Sequence, residues 1–423
     1  MRIDFPYYTD IPPFEVPDGN LIGVYEAPTI EPAASEAETI LRAFADPIGY
    51  PAVHEAAAGA ESALILTDDY TRNTPVRGIL RVLLGELEAA GIPHENITIL
   101  VALGTHRPMT DAEMLAKFGP DIPRLYEVVN HDWRDEDRLA DYGETESGIP
   151  IRVNSLVDEN EYIFGIGQIV PHRIAGFSGG GKIIQPGICG AETTAETHWR
   201  SALYPGSEIL GVADNPIRLG IEQVAASARL SGIANAVCDA DGNVIDVFVG
   251  DPVAAHRAGA ALSSLVYGFE IPEPADILII DSYPMDIELW QGAKALYAGE
   301  LAVKKDGIAI LVSPCPEGVS QTHGLILREG YRPSRETISL VENGSIRDKI
   351  VAAHLVRVGR VIRDNGMGIL VSPGIPPDHK ERLGFMHAST PREALDLALG
   401  IKGPDASVMV IRRGGTSLPM LRA

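Results

Sequence analysis

Apolar runs that break off into polar loops recur along this chain. In "SALILTDDYTR" the residues are apolar from Ala63 to Leu66 and then turn polar. That is the pattern of a parallel strand, buried on both faces, entering its C-terminal loop. "TPVRGILRVLLGELEAAG" follows with helical periodicity and a closing glycine. "NITILVALGTHRPM" predicts a second strand, and "TDAEMLAKFG" a short helix with Thr110 as N-cap. "YIFGIGQIVPH" is a third strand-to-loop passage, and "AETTAETHWR", "RLGIEQVAASARL" and "VAAHRAGAAL" predict further helices. The first 60 residues hold only short extended pieces such as "NLIGVYEAP".

After "GFEIPEPAD" (268–276), read as a linker, the alternation restarts. "DILIIDSYP", "GIAILVSPC", "GILVSP" and "SVMVIRRGG" predict strands. "IELWQGAKALYAGELA", "RETISLVENG", "IRDKIVAAHLVRVGRVI" and "PREALDLALG" predict helices. The expected fold class is α/β: two α/β lobes with largely parallel sheets and an active site in the interdomain cleft. The expected boundaries are an N-terminal domain at 1–270, with the tail 406–423 packing back on it, and a smaller C-terminal domain at 271–405.

The formal charge of −23 over 423 residues argues against nucleic acid or an anionic membrane as the main partner. Three scattered cysteines (Cys189, Cys238, Cys315) make neither a disulfide framework nor a thiolate zinc site. "MRIDFPYYTD" lacks the basic and apolar regions of a signal peptide, and no stretch approaches the roughly 20 apolar residues that span a bilayer. A soluble, cytoplasmic protein is expected.

"GFSGGGKIIQPGICG" (176–190) has the glycine and lysine spacing of a phosphate-binding P-loop, with Gly179, Gly180 and Gly181 before Lys182. Ile183 follows where a P-loop has the Ser or Thr that holds magnesium. The other polar residues of interest also sit at strand-to-loop junctions: "DDYTR" (68–72), His106 in "GTHRPMT" and His172 in "PHR", with His198 on the following helix. Taken singly, a loop histidine is more often structural, and "DDYTR" reads equally as a helix cap with an ion pair. Three histidines, an arginine and a lysine at the same end of one sheet would form one pocket.

His172 and His198 are 26 residues apart, without a paired metal-ligand motif, so a protein-only zinc centre is poorly supported. A single histidine can still complete a metal held mainly by an organic cofactor. Two imidazoles on opposite faces of a carbon suit a two-base racemisation, with Arg72 pinning a carboxylate. In "WQGAK", Gln291 and Lys294 are three residues apart on one helix face. An exposed surface helix is the ordinary explanation.

The set "DDYTR", "GTHRPM", "PHRIAGFSGGGKIIQPGICG" through "THWR", and "WQGAK" resembles the nickel-dependent lactate racemase family, whose members act on 2-hydroxy acids. The resemblance implies a nickel-pincer nucleotide covalently attached at Lys182, with His198 as the protein's ligand to nickel. It implies His106 and His172 as alternate general bases, and Arg72, Trp290, Gln291 and Lys294 around the substrate. Asp69 and Thr71, with Gly179, Gly180 and Gly181, fall on the cofactor side, the glycines letting backbone amides approach a phosphate. The N-terminal domain then binds the cofactor. The implied activity is racemisation or epimerisation by reversible hydride transfer through a 2-keto acid. The implied partners are a small anionic 2-hydroxy acid and separate cofactor-biosynthesis proteins, with neither nucleic acid nor membrane.

Trp290 stands where lactate racemases proper tend to have tyrosine, and no tryptophan follows it. These departures leave the 2-hydroxy acid open, since relatives in the family also act on malate, aryl-lactates and aldonic acids. The alternatives are a P-loop-like kinase or ATPase, disfavoured by Ile183, and a non-catalytic relative, disfavoured by the retention of His106, His172, Lys182 and His198.

Overall fold

Every side chain of the strand Ala63–Thr67 is buried, as happens inside a sheet covered on both faces. In the computed structural model, which describes residues 1–422, this strand lies between Tyr162–Gln168 and Ile97–Val101, parallel to both. From edge to edge the sheet runs Val244–Gly250, Gly232–Cys238, Tyr162–Gln168, Ala63–Thr67, Ile97–Val101, Glu127–Asn130. Only the pairing of Val244–Gly250 with Gly232–Cys238 is antiparallel. Strand order reverses between Ala63–Thr67 and Tyr162–Gln168. A doubly wound sheet opens its ligand crevice at such a point, outside the carboxyl ends of the strands.

Alternation along the strands divides the core. Ile65, Ile99 and Phe164 pack with the helix Val76–Ala89, whose apolar stripe includes Ile79, Leu80, Leu83 and Leu87. Leu64, Leu66, Leu100 and Ile163 face the other way, onto Ile183, Ile184, Ile188, Val224 and Ala225. The isoleucine after the loop lysine is therefore a core residue.

A second sheet runs Met386–Ala388, Gly366–Val371, Val303–Val312, Ala275–Asp281, Val408–Ile411, Leu21–Tyr25, parallel throughout. The chain divides into two compact units: residues 29–197 with 211–266, and residues 1–28 with 198–210 and everything from Tyr267 onward. This differs from a boundary drawn at 270. The run "VMVI" of Val408–Ile411 is wholly buried and needs a strand on each side. Ala275–Asp281 and Leu21–Tyr25 supply them, so the first residues and the tail both join the later sheet. The tail packs there and not back on the earlier one. The stretch read as a linker also contains a strand, Gly268–Ile271, paired with Leu418–Leu421.

The single helix expected around "WQGAK" is two, Leu289–Gly292 and Ala295–Ala302. Gly292 is a poor helix former, and it packs so closely that an added Cβ would lie 2.5 Å from Ser313 Oγ. Thr110 does cap its helix, in a reciprocal box with Glu113. No helix among the described residues is long and apolar enough to cross a membrane.

Candidate functional site

The loop after Ala63–Thr67 is built around two adjacent carboxylates with different tasks. Asp68 pairs with Lys117 Nζ (2.8 Å) and accepts a hydrogen bond from Thr74 Oγ1. The same ammonium donates to the carbonyls of Asp69 (2.7 Å) and Arg72 (3.3 Å) and so ties the loop down. Asp69 is 4% exposed. Its Oδ1 accepts from both Thr71 N (3.0 Å) and Thr71 Oγ1 (2.6 Å), and its Oδ2 meets His106 Nδ1 at 2.6 Å. Burial pushes the Asp69 carboxyl up, but the hydrogen bond and charge of His106, with Thr71 and Arg72, outweigh it. They hold the group well below the usual carboxylate range. An ionised carboxylate only accepts, so His106 carries a proton on Nδ1 and turns Nε2 outward as an acceptor. That is the arrangement of an oriented general base. Arg72, half-buried, donates from Nη1 to Thr71 O (3.0 Å) and Thr71 Oγ1 (3.1 Å).

The glycine-rich loop lies at the neighbouring strand end. Gly104 N, two residues before His106, donates to Gly187 O (2.8 Å), which joins the His106 loop to the Lys182 loop. His172 sits in a two-residue ladder with Gly176–Phe177, and its Nδ1 accepts the Ile174 amide (3.2 Å). In its neutral form this imidazole therefore presents an N–H at Nε2, the opposite tautomer to His106. Lys182 is half-buried on a single 3₁₀ turn, Gly180–Ile183, and the next α-helix starts only at Ala191. The glycines before it answer first to the protein. Gly179 and Gly180 have φ of +76° and +58°, and a Cβ there would meet Ile169 and Asn235, or the His256 ring, at 3.0 Å or less. The Gly180 amide donates to Asn235 Oδ1 (2.7 Å). Close packing is thus one reason for these glycines that the sequence did not reveal.

Gln185 Nε2 donates to Thr197 Oγ1, which orients the helix Ala191–Leu203 just before His198. From His198 onward this helix belongs with the later sheet. Arg357 Nη2 donates to His198 O (2.6 Å), and Arg360 donates to Tyr204 O (2.6 Å) and Ala202 O (2.9 Å). Two cations thus satisfy carbonyls at the helix C-terminus.

In the same unit, Lys294 Nζ donates to Gln291 Oε1. The Trp290 ring contacts His323 (centroids 4.1 Å apart) and His354 (4.5 Å). His354 is buried, held by Tyr297 OH and Tyr331 OH at 2.9 Å each. Burial and the Lys294 and Arg357 charges push it well below the usual histidine value, so it is neutral support for the indole. Burial, with a contribution from Lys294, also lowers His323.

Asp69, Thr71, Arg72, His106, His172, the glycines and Lys182 belong to one unit, and His198, Trp290, Gln291 and Lys294 to the other. Other polar residues nearby in sequence have structural partners. Arg107 is held by Glu113 (2.8 and 2.6 Å) and lies over the Tyr70 ring. Buried His131 bonds Cys189 O and Asn154, while Arg134 lies over the Trp133 ring. Lys117, Arg218, Asn235 and His256 hold the loops of one unit and Arg357 the His198 helix of the other, and none was anticipated. Nothing local marks them, because each acts on backbone or side chains far away in sequence.

Among the described residues no group of three or more His, Cys, Asp or Glu could hold a metal ion. Lys182, half-buried on its turn, offers a primary amine to which an organic group could be tethered, and His198, in the other unit, offers an imidazole.

Comparison with known proteins agrees in extent and order. Residues 7–209 match the lactate racemase N-terminal domain model and 272–418 the lactate racemase C-terminal domain model. The chain is 30% identical to lactate racemase of Thermoanaerobacterium thermosaccharolyticum over 426 residues and to that of Lactiplantibacillus plantarum over 431, covering 98% of each protein and of itself. The lactate racemase apoprotein structure from T. thermosaccharolyticum superposes with a TM-score of 0.88 at 30% identity over 100% of both chains. A Thermotoga maritima protein structure shares the fold at a TM-score of 0.71 and 23% identity, covering 89% of this chain and 100% of that one. With both domain models matched in order and this identity along nearly its whole length, the chain belongs to the lactate racemase family.

Proposed function

We propose that this protein is a racemase or epimerase of a small 2-hydroxy acid, acting with a nickel-pincer nucleotide attached at Lys182. The observation that carries the reading is the Asp69–His106 pair at the carboxyl ends of the neighbouring strands Ala63–Thr67 and Ile97–Val101, joined through Gly104 and Gly187 to the loop bearing Lys182. When bound, the cofactor supplies reversible acceptance of a hydride. Lys182 holds it covalently, and His198 provides the protein's ligand to nickel. Arg72, Gln291 and Lys294 bind the carboxylate, so substrate is fixed by charge and its reacting carbon stays oriented.

His106 takes the hydroxyl proton at Nε2, and Asp69 stabilises the imidazolium that results. His172 serves the other face. It presents an N–H in the present tautomer, so acceptance at Nε2 requires exchange of its bond to the Ile174 amide. The P-loop alternative needs a loop that runs directly into an α-helix and a hydroxyl beside the lysine. Here a lone 3₁₀ turn follows the glycines, and Ile183 faces the core.

The relatives named above are lactate racemases. In this chain the indole of Trp290, packed at a tilt against two imidazoles, is the bulky side chain next to Gln291. The substrate on this reading is lactate or another 2-hydroxy acid, such as malate, an aryl-lactate or an aldonic acid. The test is production together with the cofactor-synthesis proteins, followed by intact-mass and metal analysis and a panel of 2-hydroxy acids followed by loss of optical rotation. A Lys182 adduct with about one nickel per chain and racemisation of at least one acid is expected. Unmodified Lys182 together with tight Mg-ATP binding would overturn the reading.

A further inference from the structure

Three backbone carbonyls of one loop converge on one buried guanidinium. Arg218, on the helix Pro216–Ser227, is 0% exposed. It donates from Nε to Ala175 O (3.2 Å), from Nη1 to Gly179 O (3.1 Å) and from Nη2 to Phe177 O. Burial lowers it to about 9, so it remains charged at neutral pH. A buried charge is costly, and an apolar side chain of similar size would avoid that cost. The apolar chain would instead withdraw the donor from three carbonyls and leave Gly179 O with only the Lys182 amide (3.2 Å). Only the planar fork of arginine offers enough donors in one plane to serve them together.

The rest of the loop is held from the same part of the chain. Arg257 Nη1, which can only donate, bonds His256 Nδ1 (2.9 Å). The His256 proton therefore sits on Nε2 and is donated to Ser178 O (3.0 Å). Arg257 is in turn fixed by Glu222 (2.7 Å) and Asp214 (2.8 Å). Asn235 accepts the Gly180 amide. The carbonyls of 175, 177, 178 and 179 and the amide of 180 are thus all engaged by side chains between Arg218 and His256, immediately before the turn that carries Lys182.

We propose that Arg218 is a positioning residue that builds the Lys182 loop before any cofactor is attached, so that attachment takes place on a preformed turn. The assignment of Lys182 as the attachment point rests on the function proposed above, whereas preformation of the loop stands apart from it. None of the groups in this clasp belongs to the reacting set. Their chemistry is directed at backbone, which is what fixes a loop.

The test is amide hydrogen exchange by mass spectrometry on the unloaded full-length chain, with Arg218→Gln and Arg218→Lys. In the wild type, amides of 176–184 exchange slowly. In Arg218→Gln they exchange at least about tenfold faster, with the strand Ala63–Thr67 unchanged. Arg218→Lys, with one ammonium in place of the fork, is intermediate. After production with the cofactor-synthesis proteins, intact mass shows the adducted fraction falling in the same order. If Arg218→Gln fails to fold, Asn235→Leu carries the test, because it removes only the acceptor of the Gly180 amide and should speed exchange at the same turn. Wild-type loop amides that exchange as fast as an unstructured peptide, or a variant loop that exchanges at the wild-type rate, would overturn the proposal. A wild-type chain that never gains an adduct would instead undo the role of Lys182, and the exchange comparison would still decide the role of Arg218.

Discussion

Asp69→Asn changes one atom and, by the geometry of this loop, reverses the chemistry of His106. Asp69 Oδ1 accepts from two donors, Thr71 N and Thr71 Oγ1. An asparagine can satisfy both only by placing its oxygen there, which turns its NH₂ toward His106 Nδ1. That nitrogen must then accept, so the imidazole proton moves to Nε2 and the outward-facing acceptor is lost. The negative partner of the imidazolium is lost as well. A positioned general base contributes about 10²–10⁴-fold, and the equivalent change in a serine protease costs about 10⁴, so turnover should fall by about 10²–10⁴-fold. The assay is loss of optical rotation, or exchange of the α-hydrogen, on cofactor-loaded protein normalised to nickel content. Nickel content itself should be unchanged. Turnover within about threefold of wild type, well short of the loss expected of a general base, would refute this role for the pair.

His198→Ala should release nickel, whereas His106→Ala and His172→Ala should retain it and lose turnover; metal analysis of the three loaded variants checks the division of roles. Lys117→Met should lower the melting temperature through a loss of about 1–3 kcal/mol, because it removes the ammonium from the half-buried Asp68 carboxylate and frees two loop carbonyls. Asp281 lies at a strand end in the later sheet, fully buried, and accepts from Tyr7 OH, Tyr283 N and Arg413 N. Burial raises its carboxyl to about 7 in the folded chain, so between pH 4 and 7 the folded state binds the extra proton. Its contribution therefore weakens as pH rises through that window, by up to about 4 kcal/mol. Chemical denaturation across this range should show Asp281→Asn with a flatter pH dependence than wild type, and parallel curves would refute the assignment.

The strands that carry the chemistry were legible because burial on both faces leaves a continuous apolar run, and the polar residues that end each run mark the carboxyl edge. Ala63–Thr67, Ile97–Val101 and Tyr162–Gln168 are of this kind. The hairpin Gly232–Cys238 and Val244–Gly250 was not anticipated, although its turn holds Gly242 at a φ of +90°. Its small residues, such as Gly232, Ala234 and Ala236, give weak strand signals, and their burial comes from neighbours contributed by distant sequence.

By itself the sequence determined the alternation of strands and helices, the edge at which polar residues gather, and the lysine and histidines that could react. These follow from local periodicity and from side-chain chemistry. Only the tertiary structure decided which carboxylate faces His106, where Arg218 sends its donors, and that residues 21–25 and 408–411 complete one sheet. Hydrogen bonds are directional and ladder pairings are long-range, so neither is written in the spacing of residues along the chain. Ile183 illustrates the division. In sequence it stands where a P-loop needs a hydroxyl, and in the fold it is one of the side chains that seat the lysine loop against the sheet.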